Sequence, residues 1–485
     1  MWRTLFYIPE RIGSVPLFGL GLLFWLWIAW SGLSLIWTLR RRGWTGEFWN
    51  AVVVHGIVAV VIAFLLPRLC VDIPGVYDAM GRPLRGLPVR GYGTMLLVAV
   101  LASVGLAVLR AKKRGFSAEW VANLALWCII PGIIGARLFH VIEYWPVHYG
   151  PVWRTQGPLA GLTAVLNVTQ GGLVVYGSLL GGLAGIAFYA WQQKVRLLAI
   201  FDLLAPCFLL GLAFGRIGCF LNGCCFGGVC ELPWSVQFPA GSFAFLNQVE
   251  HGQLALYGIR FHEDPRDPDR LPIIVEVVPG SAASRSGVKP GQHVVAVNGR
   301  QLTGHGGQSP TAVLVEELVA ASGNPVLIEG GRGCVCAAGE VAPSSAQHRA
   351  VSGHSSWTNT DSVFVHIQTR EGGDYTWESR NEIPAHSRFV HPSQLYSAVN
   401  ALILCLFLLA YEPFAQSDGE LWAWFLTLYP ITRFILEIIR ADEPGSYWGL
   451  TIAQVVSILL FALGILTWLY VFWQRRHLPS AEQTN

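Results

Sequence analysis

Two arginines stand in apolar surroundings: Arg216 within Gly215-Arg216-Ile217-Gly218-Cys219-Phe220-Leu221-Asn222-Gly223, and Arg433 within Tyr429-Pro430-Ile431-Thr432-Arg433-Phe434. A guanidinium inside a membrane segment is costly unless it faces a wet cavity or an anion, so the pair points to an anionic ligand. The anion most available in a membrane is a phospholipid phosphate, which the guanidinium fork can grip through two parallel hydrogen bonds. Positions four apart share a helix face, so Tyr429, Arg433 and Glu437 line one stripe, and Arg440 follows. Such a stripe faces a polar interior rather than lipid.

Of the ten cysteines, Cys219, Cys224, Cys225 and Cys230 crowd the end of the apolar run that carries Arg216. Cys70, Cys128, Cys207 and Cys405 lie in or beside apolar stretches and read as buried thiols. In an oxidising compartment the crowded set suits a disulfide, with the pairing open. No metal site is expected, because adjacent Cys224 and Cys225 lack the usual two-residue ligand spacing.

Four further stretches share a Gly turn or polar residue at the end of a span: Arg90-Gly91-Tyr92-Gly93, Gly135-Ala136-Arg137-Leu138, Gly171-Gly172-Leu173-Val174-Val175-Tyr176-Gly177 and His391-Pro392-Ser393-Gln394-Leu395-Tyr396. The structural reading of each stays open. Arg137 can be a helix anchor, Tyr92 and Tyr176 interfacial aromatics, and His391 a loop-fixing residue.

Helices that cross a bilayer must position these groups. The chain has 485 residues, 53% of them hydrophobic and 13% charged, with several apolar runs near the ~20 residues that a spanning helix needs. The expected fold is an all-α polytopic membrane protein of about nine helices, near 15–38, 50–67, 92–109, 119–142, 172–191, 198–221, 394–411, 419–438 and 447–473. Basic clusters at Arg40 to Arg42, Arg110 to Arg114, Lys194 and Arg196, and Arg475 and Arg476 put the N-terminus outside and the C-terminus in the cytoplasm of a bacterial inner membrane. The loop with Arg68, Arg82, Arg85 and Arg90 argues the other way, although Asp72 and Asp78 dilute it. The first apolar run is too long for a cleaved signal peptide and is read as retained. A net charge of +3 implies no nucleic-acid partner.

Between the sixth and seventh spans, residues 245–385 turn polar and rich in Gly, Pro and Ser, as an inserted soluble domain. The β-rich run Ile273 to Val278, the turn Pro279-Gly280-Ser281, the segment Gly287-Val288-Lys289-Pro290-Gly291, the strand Val294 to Val297 with its Asn298-Gly299 turn, and a helix from Pro310 through Leu318 follow in order. This order over about 253–335 resembles a bacterial PDZ domain, with Tyr257-Gly258-Ile259-Arg260 in the place of the loop that receives a peptide carboxylate. The resemblance implies capture of exported peptides by strand addition through Tyr257, Gly258 and Ile259, the alternative being a rigid lid without a peptide ligand. Residues 337–360 read as a linker, and Val363 to Ile367 as a closing strand.

With the insertion set aside, the chain resembles the prolipoprotein diacylglyceryl transferase family. Residues 215–223 match its Gly-Arg-x-Gly-Asn-Phe-x-Asn-Gly segment except for Cys219, residues 391–396 match His-Pro-Ser-Gln-Leu-Tyr in full, and Tyr429, Arg433 and Glu437 match Tyr-x-x-x-Arg-x-x-x-Glu. The resemblance covers 84–240 and 386–475, leaving two additional N-terminal helices in 1–80, the insertion and a tail at 476–485.

It implies transfer of the diacylglyceryl group of phosphatidylglycerol to the lipobox cysteine of preprolipoproteins, with no cofactor. Arg216 and Arg433 would clamp the phosphate, Asn222 and Gly227 would hold the headgroup, and Tyr92 and Tyr429 would donate hydrogen bonds. Glu437 would orient Arg433, with Arg137, His391 and Gln394 around them. The chain departs from the family at Tyr176, where a histidine is usual, and at Cys219 and Cys224, where Asn and Glu are favoured. Tyr176 is grouped with Arg216 and Arg433 as catalytic, but tyrosine is a far weaker base at neutral pH: if the histidine is an obligate general base the protein is impaired, and otherwise the acceptor thiol loses its proton to water or to His391 and Tyr176 only hydrogen-bonds the lipid. The alternatives are a related transferase with another acceptor and a non-catalytic membrane-anchored PDZ adaptor.

Overall fold

The computed structural model describes residues 4–13, 15–77, 83–166, 174–302, 309–321, 362–380, 383–440 and 449–477. The expected linker at 337–360, Gly171 to Leu173, and most of the tail lie outside the described residues. The chain divides into two units, residues 2–94 and residues 95–485.

In the first unit, α1 (Leu22–Arg42) and α2 (Gly46–Val60) are the two additional N-terminal helices. A π turn at Val61–Leu65 carries α2 on to Leu69, widening the helix just before Pro67, which has no N–H to give. Trp27 Nε1 donates to the His55 carbonyl at 3.0 Å and ties the pair. The first helix starts later than expected, because Pro16 and Gly19 (φ 73°) hold a turn that no helix tolerates. The antiparallel sheet of β1 (Thr4–Pro9), β2 (Val71–Tyr77) and β3 (Pro83–Arg90), in the order β1-β3-β2, was not expected. Its strands contain Pro and Gly and lack a clean alternation.

In the second unit, α3 (Gly91–Lys113, entering from residue 95), α4 (Ala118–Glu143), α5 (Val175–Gln193) and α6 (Leu197–Asn222) precede the insertion. After it come α9 (Ser393–Tyr411), α10 (Glu420–Ile438) and α11 (Ile452–His477). Eight helices in the described residues are long and apolar enough to cross a membrane. The protein is a multi-pass membrane protein. The ninth expected span, α5, misses that mark because it is glycine-rich and ends in Gln192 and Gln193. It nonetheless runs antiparallel along α4. A Cβ on Gly177 would come within 2.3 Å of the Gly135 carbonyl, one on Gly181 within 2.1 Å of that of Pro131, and one on Gly185 within 1.8 Å of that of Trp127. The glycines are there for this close approach of two backbones.

At the centre, Ala205, Leu209 and Ala213 of α6 pack on Ala401, Leu404, Cys405 and Leu408 of α9. Large apolar side chains such as Leu402, Leu406, Leu459 and Leu466 point outward, where a soluble protein would be polar.

The insertion contains α7 (Phe243–Glu250), a ribbon of β4 (Ile259–Glu263) and β5 (Pro272–Val277), a second sheet of β6 (Val294–Val297), β7 (Arg300–Gln301), β8 (Ser362–Thr369) and β9 (Asp374–Arg380) in the order β9-β8-β6-β7, and α8 (Pro310–Ala321). Phe261, Ile274, Val294, Val297, Leu314, Leu318, Val365 and Ile367 fill one core between them. The expected strands and helix are present, and β4, β9 and α7 are additions.

Candidate active site

Arg216 lies less than two turns from the end of α6. That helix stops because Gly223 adopts the left-handed conformation (φ 77°), and the N–H groups of Gly223 and Cys224 donate to the Cys219 carbonyl at 2.9 and 3.2 Å. Three segments then cross at Gly227. Its N–H donates to the His391 carbonyl (3.0 Å), Gly228 N–H to the Ile439 carbonyl (2.9 Å), and His391 N–H to the Gly228 carbonyl (3.0 Å). A Cβ on Gly227 would lie 2.6 Å from His391 Cβ and 3.1 Å from the Ile439 carbonyl. Gly227 is thus needed where the loop after α6, the entry to α9 and the exit of α10 meet.

This stitching places the ends of α6 and α10 together. Arg433 pairs with Glu437 one turn on, as the stripe predicted. Arg440 Nη1 approaches the same Glu437 oxygen at 3.2 Å, and Thr451 Oγ1 donates to the other at 3.3 Å. The Glu437 side chain has no exposed surface. Arg216 is in electrostatic reach of Tyr429, Cys219, Cys225 and Arg440, and has no carboxylate partner among the described residues. Arg433 and Arg440 thus both reach Glu437, while Arg216 stands near Arg440 without a carboxylate of its own among the described residues, where water is scarce.

Residues of the His391 segment hold the far wall. Gln394, fully buried, donates from Nε2 to the Cys224 carbonyl at 2.8 Å, and its Oε1 has no partner among the described residues. Ser393 Oγ donates to the Cys225 carbonyl at 2.6 Å. Trp234 Nε1 donates to the Tyr396 hydroxyl at 2.8 Å, and His391 Nδ1 is 3.5 Å from the same oxygen.

The family model for prolipoprotein diacylglyceryl transferase matches residues 82–292 and 300–470. The chain belongs to this family. A Rhodopirellula baltica protein named phosphatidylglycerol-prolipoprotein diacylglyceryl transferase is 31% identical over 516 aligned residues, which cover 100% of this chain and 92% of its own length. Proteins of the same name from Clostridium tetani and Thermosynechococcus vestitus are 35% and 30% identical over 160 and 153 residues, or 33% and 32% of this chain and 59% and 53% of theirs.

Not every residue singled out by the diacylglyceryl transferase resemblance gathers here. Arg137 donates from Nε to the Val165 carbonyl (2.7 Å) and from Nη2 to that of Ala164 (2.9 Å), closing the short helix Pro158–Leu166. It is an anchor. Tyr176 sits partly exposed in the first turn of α5, and Tyr92 likewise in the first turn of α3. Asn222 Nδ2 donates to Cys224 Sγ at 3.6 Å, and the Tyr429 ring stacks on Phe425.

Cys219, Cys224, Cys225 and Cys230 are free thiols, so the expected disulfide is not formed. The first three sulfur atoms nevertheless lie within 4.8 Å of one another. The proposed peptide-receiving segment has no open side chain: Tyr257, Gly258 and Ile259 are enclosed in the core of the insertion, and Trp377 Nε1 donates to the Tyr257 carbonyl. Ile259 N–H is itself taken by the Leu256 carbonyl at 3.0 Å.

Sequence reasoning left Thr451 and Ser393 without a role. Arg440, three residues beyond Glu437, carried a helical-spacing signal. Thr451 carried none, because it arrives from the start of another helix.

Proposed function

We propose that this family member moves the diacylglyceryl group of phosphatidylglycerol onto the lipobox cysteine of a preprolipoprotein. The acceptor sulfur, as thiolate, forms a bond to the terminal glyceride carbon, and the bond from that carbon to the phosphate oxygen breaks. Glycerol phosphate leaves with the electron pair, so the phosphate gains one negative charge, and the thiol proton goes to solvent. The nucleophile belongs to the substrate, and the enzyme's task is electrostatic.

The observation that carries this reading is Arg216, held near Arg440 with no carboxylate partner among the described residues. Arg216 and Arg433 grip the phosphate and Arg440 adds charge behind them, while Glu437 holds the Arg433 fork in place. Tyr429, Tyr92 and Tyr176 donate hydrogen bonds to the lipid, and Asn222 holds the headgroup. His391 and Gln394 position the wall, and the unpartnered Gln394 oxygen is an acceptor for a glycerol hydroxyl. Gly227 and Arg137 act by packing.

We place the protein in a bacterial inner membrane with the N-terminus outside and the C-terminus in the cytoplasm, which puts the site and the insertion at 245–385 on the outer side. The catalytic parts are 84–240 and 386–475. Peptide capture through residues 257–259 forms no part of the proposal, since their side chains are spent on the core.

The test is lipidation of a lipobox peptide by purified protein with phosphatidylglycerol, followed by mass spectrometry. Arg216→Ala, still inserted in the membrane, is expected to abolish the added mass. Undiminished lipidation by that variant removes the clamp.

A further inference from the structure

Adjacent Cys224 and Cys225 lack the usual two-residue ligand spacing, and on a regular helix or strand their side chains would point apart. The backbone here is not regular. Gly223 turns the chain back at φ 77°, and Cys225 itself adopts φ 61°, a left-handed conformation rare for a residue with a side chain. Two consecutive left-handed corners around Cys224 bring its sulfur and that of Cys225 to Cys219 on the last turn of α6. All three sulfur atoms lie within 4.8 Å of one another. Cys219 and Cys224 are buried; Cys225 keeps some surface exposed while its sulfur is enclosed with the others.

The strained corner is held from outside. The Cys224 carbonyl accepts from buried Gln394 at 2.8 Å, and the Cys225 carbonyl from Ser393 at 2.6 Å. Asn222 points an N–H of its amide at Cys224 Sγ, a donor suited to a sulfur that carries negative charge. These are the supports that orient a ligand set from behind.

We propose that Cys219, Cys224 and Cys225 form a three-thiolate site for a soft, filled-shell metal ion of the zinc type. Sulfur bound to such an ion at about 2.3 Å stands about 4 Å from its neighbours, which the observed grouping accommodates, whereas a disulfide needs about 2 Å. Three protein ligands leave one position of a tetrahedral ion to a small ligand from solvent. Three thiolates around a divalent ion carry one surplus negative charge, and Arg216, in electrostatic reach of Cys219 and Cys225, is the cation that offsets it. The site shares Arg216, Asn222 and Gln394 with the proposed lipid site, and its test is a binding measurement separate from the lipidation assay.

The full chain, reduced and held in detergent micelles without oxygen, is titrated with cadmium(II) and then with competing zinc(II). One equivalent of cadmium is expected to raise the near-ultraviolet thiolate-to-cadmium absorption, and zinc to abolish it. Cys225→Gly is the sharpest variant, because glycine suits the left-handed corner and only the sulfur is lost. It is expected to weaken binding at least tenfold at unchanged helix content. Cys219→Ser combined with Cys224→Ser is expected to remove the band. Cys334→Ser combined with Cys336→Ser, elsewhere in the sequence, is expected to retain it. An absent band in the reduced wild type, an undiminished band in Cys225→Gly, or a band lost with Cys334 and Cys336 would overturn the assignment.

Discussion

The two ends of α6 and α10 answer their arginines in opposite ways. At the first end, Arg110, Arg114, Arg196 and Arg475 stand against Asp202, Glu412, Asp418 and Glu420. Arg110 and Arg114 reach one oxygen of Glu412 at 2.9 and 3.2 Å, Arg475 pairs with fully buried Glu420, and Arg196 lies 3.5 Å from Asp418. Asp202 accepts from the N–H groups of Gly419 (2.6 Å) and Trp422 (2.8 Å), capping α10 from a neighbouring helix. About 21 Å away, fourteen residues beyond Asp202 along α6, Arg216 has no carboxylate partner among the described residues, while Arg433 and Arg440 both reach Glu437. A buried arginine is therefore not in itself a functional signal. The signal is a guanidinium left unanswered, since its desolvation is offset only when an anion arrives.

Exchanging the lesion between the two ends breaks or sharpens this contrast. Arg110→Ala leaves Glu412 with only Arg114 and is expected to cost about 3–5 kcal/mol of stability, read as thermal unfolding in detergent, while turnover per folded molecule stays near that of the parent. Arg216→Ala is expected to do the reverse: at least about 100-fold less lipidation, with unfolding unchanged or slightly later because repulsion from Arg440 is relieved. If Arg110→Ala silenced the folded enzyme, or Arg216→Ala mainly unfolded it, the two ends would not differ in kind. Arg433→Lys is a milder test at the same end. It keeps the charge and loses the fork, so a loss of about tenfold is expected, a number that would be near one if only net charge mattered.

Much of this contrast was legible in the sequence, and the reason is the period of the helix. The Tyr429, Arg433 and Glu437 stripe needs only 3.6 residues per turn, and the Arg433 to Glu437 pair formed as spacing required. Spans were legible because lipid demands long apolar runs; α5 was found by its place and not by its hydropathy, which its packing glycines lower. What was not legible depends on tertiary crossings. The packing at Gly227 was not legible because nothing local shows that His391 and Ile439 pass within reach of it. That Arg137 bonds the carbonyls of Val165 and Ala164 was not legible because they belong to another helix. The N-terminal sheet escaped because Val71 to Tyr77 and Pro83 to Arg90 pair in strands broken by proline and glycine. The thiol cluster escaped because its geometry rests on a left-handed Cys225, a conformation that residue type argues against.

A third charge cluster, in the insertion and in contact with water, sharpens the comparison at its weak end. His293 Nε2 is 3.1 Å from Asp264 and Nδ1 is 3.0 Å from Glu371, so both ring nitrogens can donate only when the imidazole is protonated. The hydrogen bond with Asp264, then that with Glu371, raises the His293 pKa above its ordinary 6.5. Asp264 is held below its ordinary 3.8, chiefly by the bond with His293; burial pushes Glu371 up, but the bond with His293, two backbone N–H groups and the imidazolium charge together outweigh it and hold it below 4.5. The raised histidine stabilises fully below 6.5 and ceases to as pH climbs through its folded value. The depressed carboxylates stabilise above their ordinary values and cease to as pH falls through their folded ones. The insertion is therefore expected to be firmest between about pH 4.5 and 6.5 and to loosen toward alkaline pH. Hydrogen exchange of the strand β8 in the full chain, corrected for intrinsic rates, is expected to show less protection at about pH 9 than at about pH 6, with the difference abolished in His293→Gln. The effect is expected to be the smallest here, because each of these groups keeps water on one side and exposed pairs contribute little. A dependence that survives His293→Gln would move the titration elsewhere, and one as large as the loss in Arg110→Ala would mean that solvent exposure does not separate the weak cluster from the buried one.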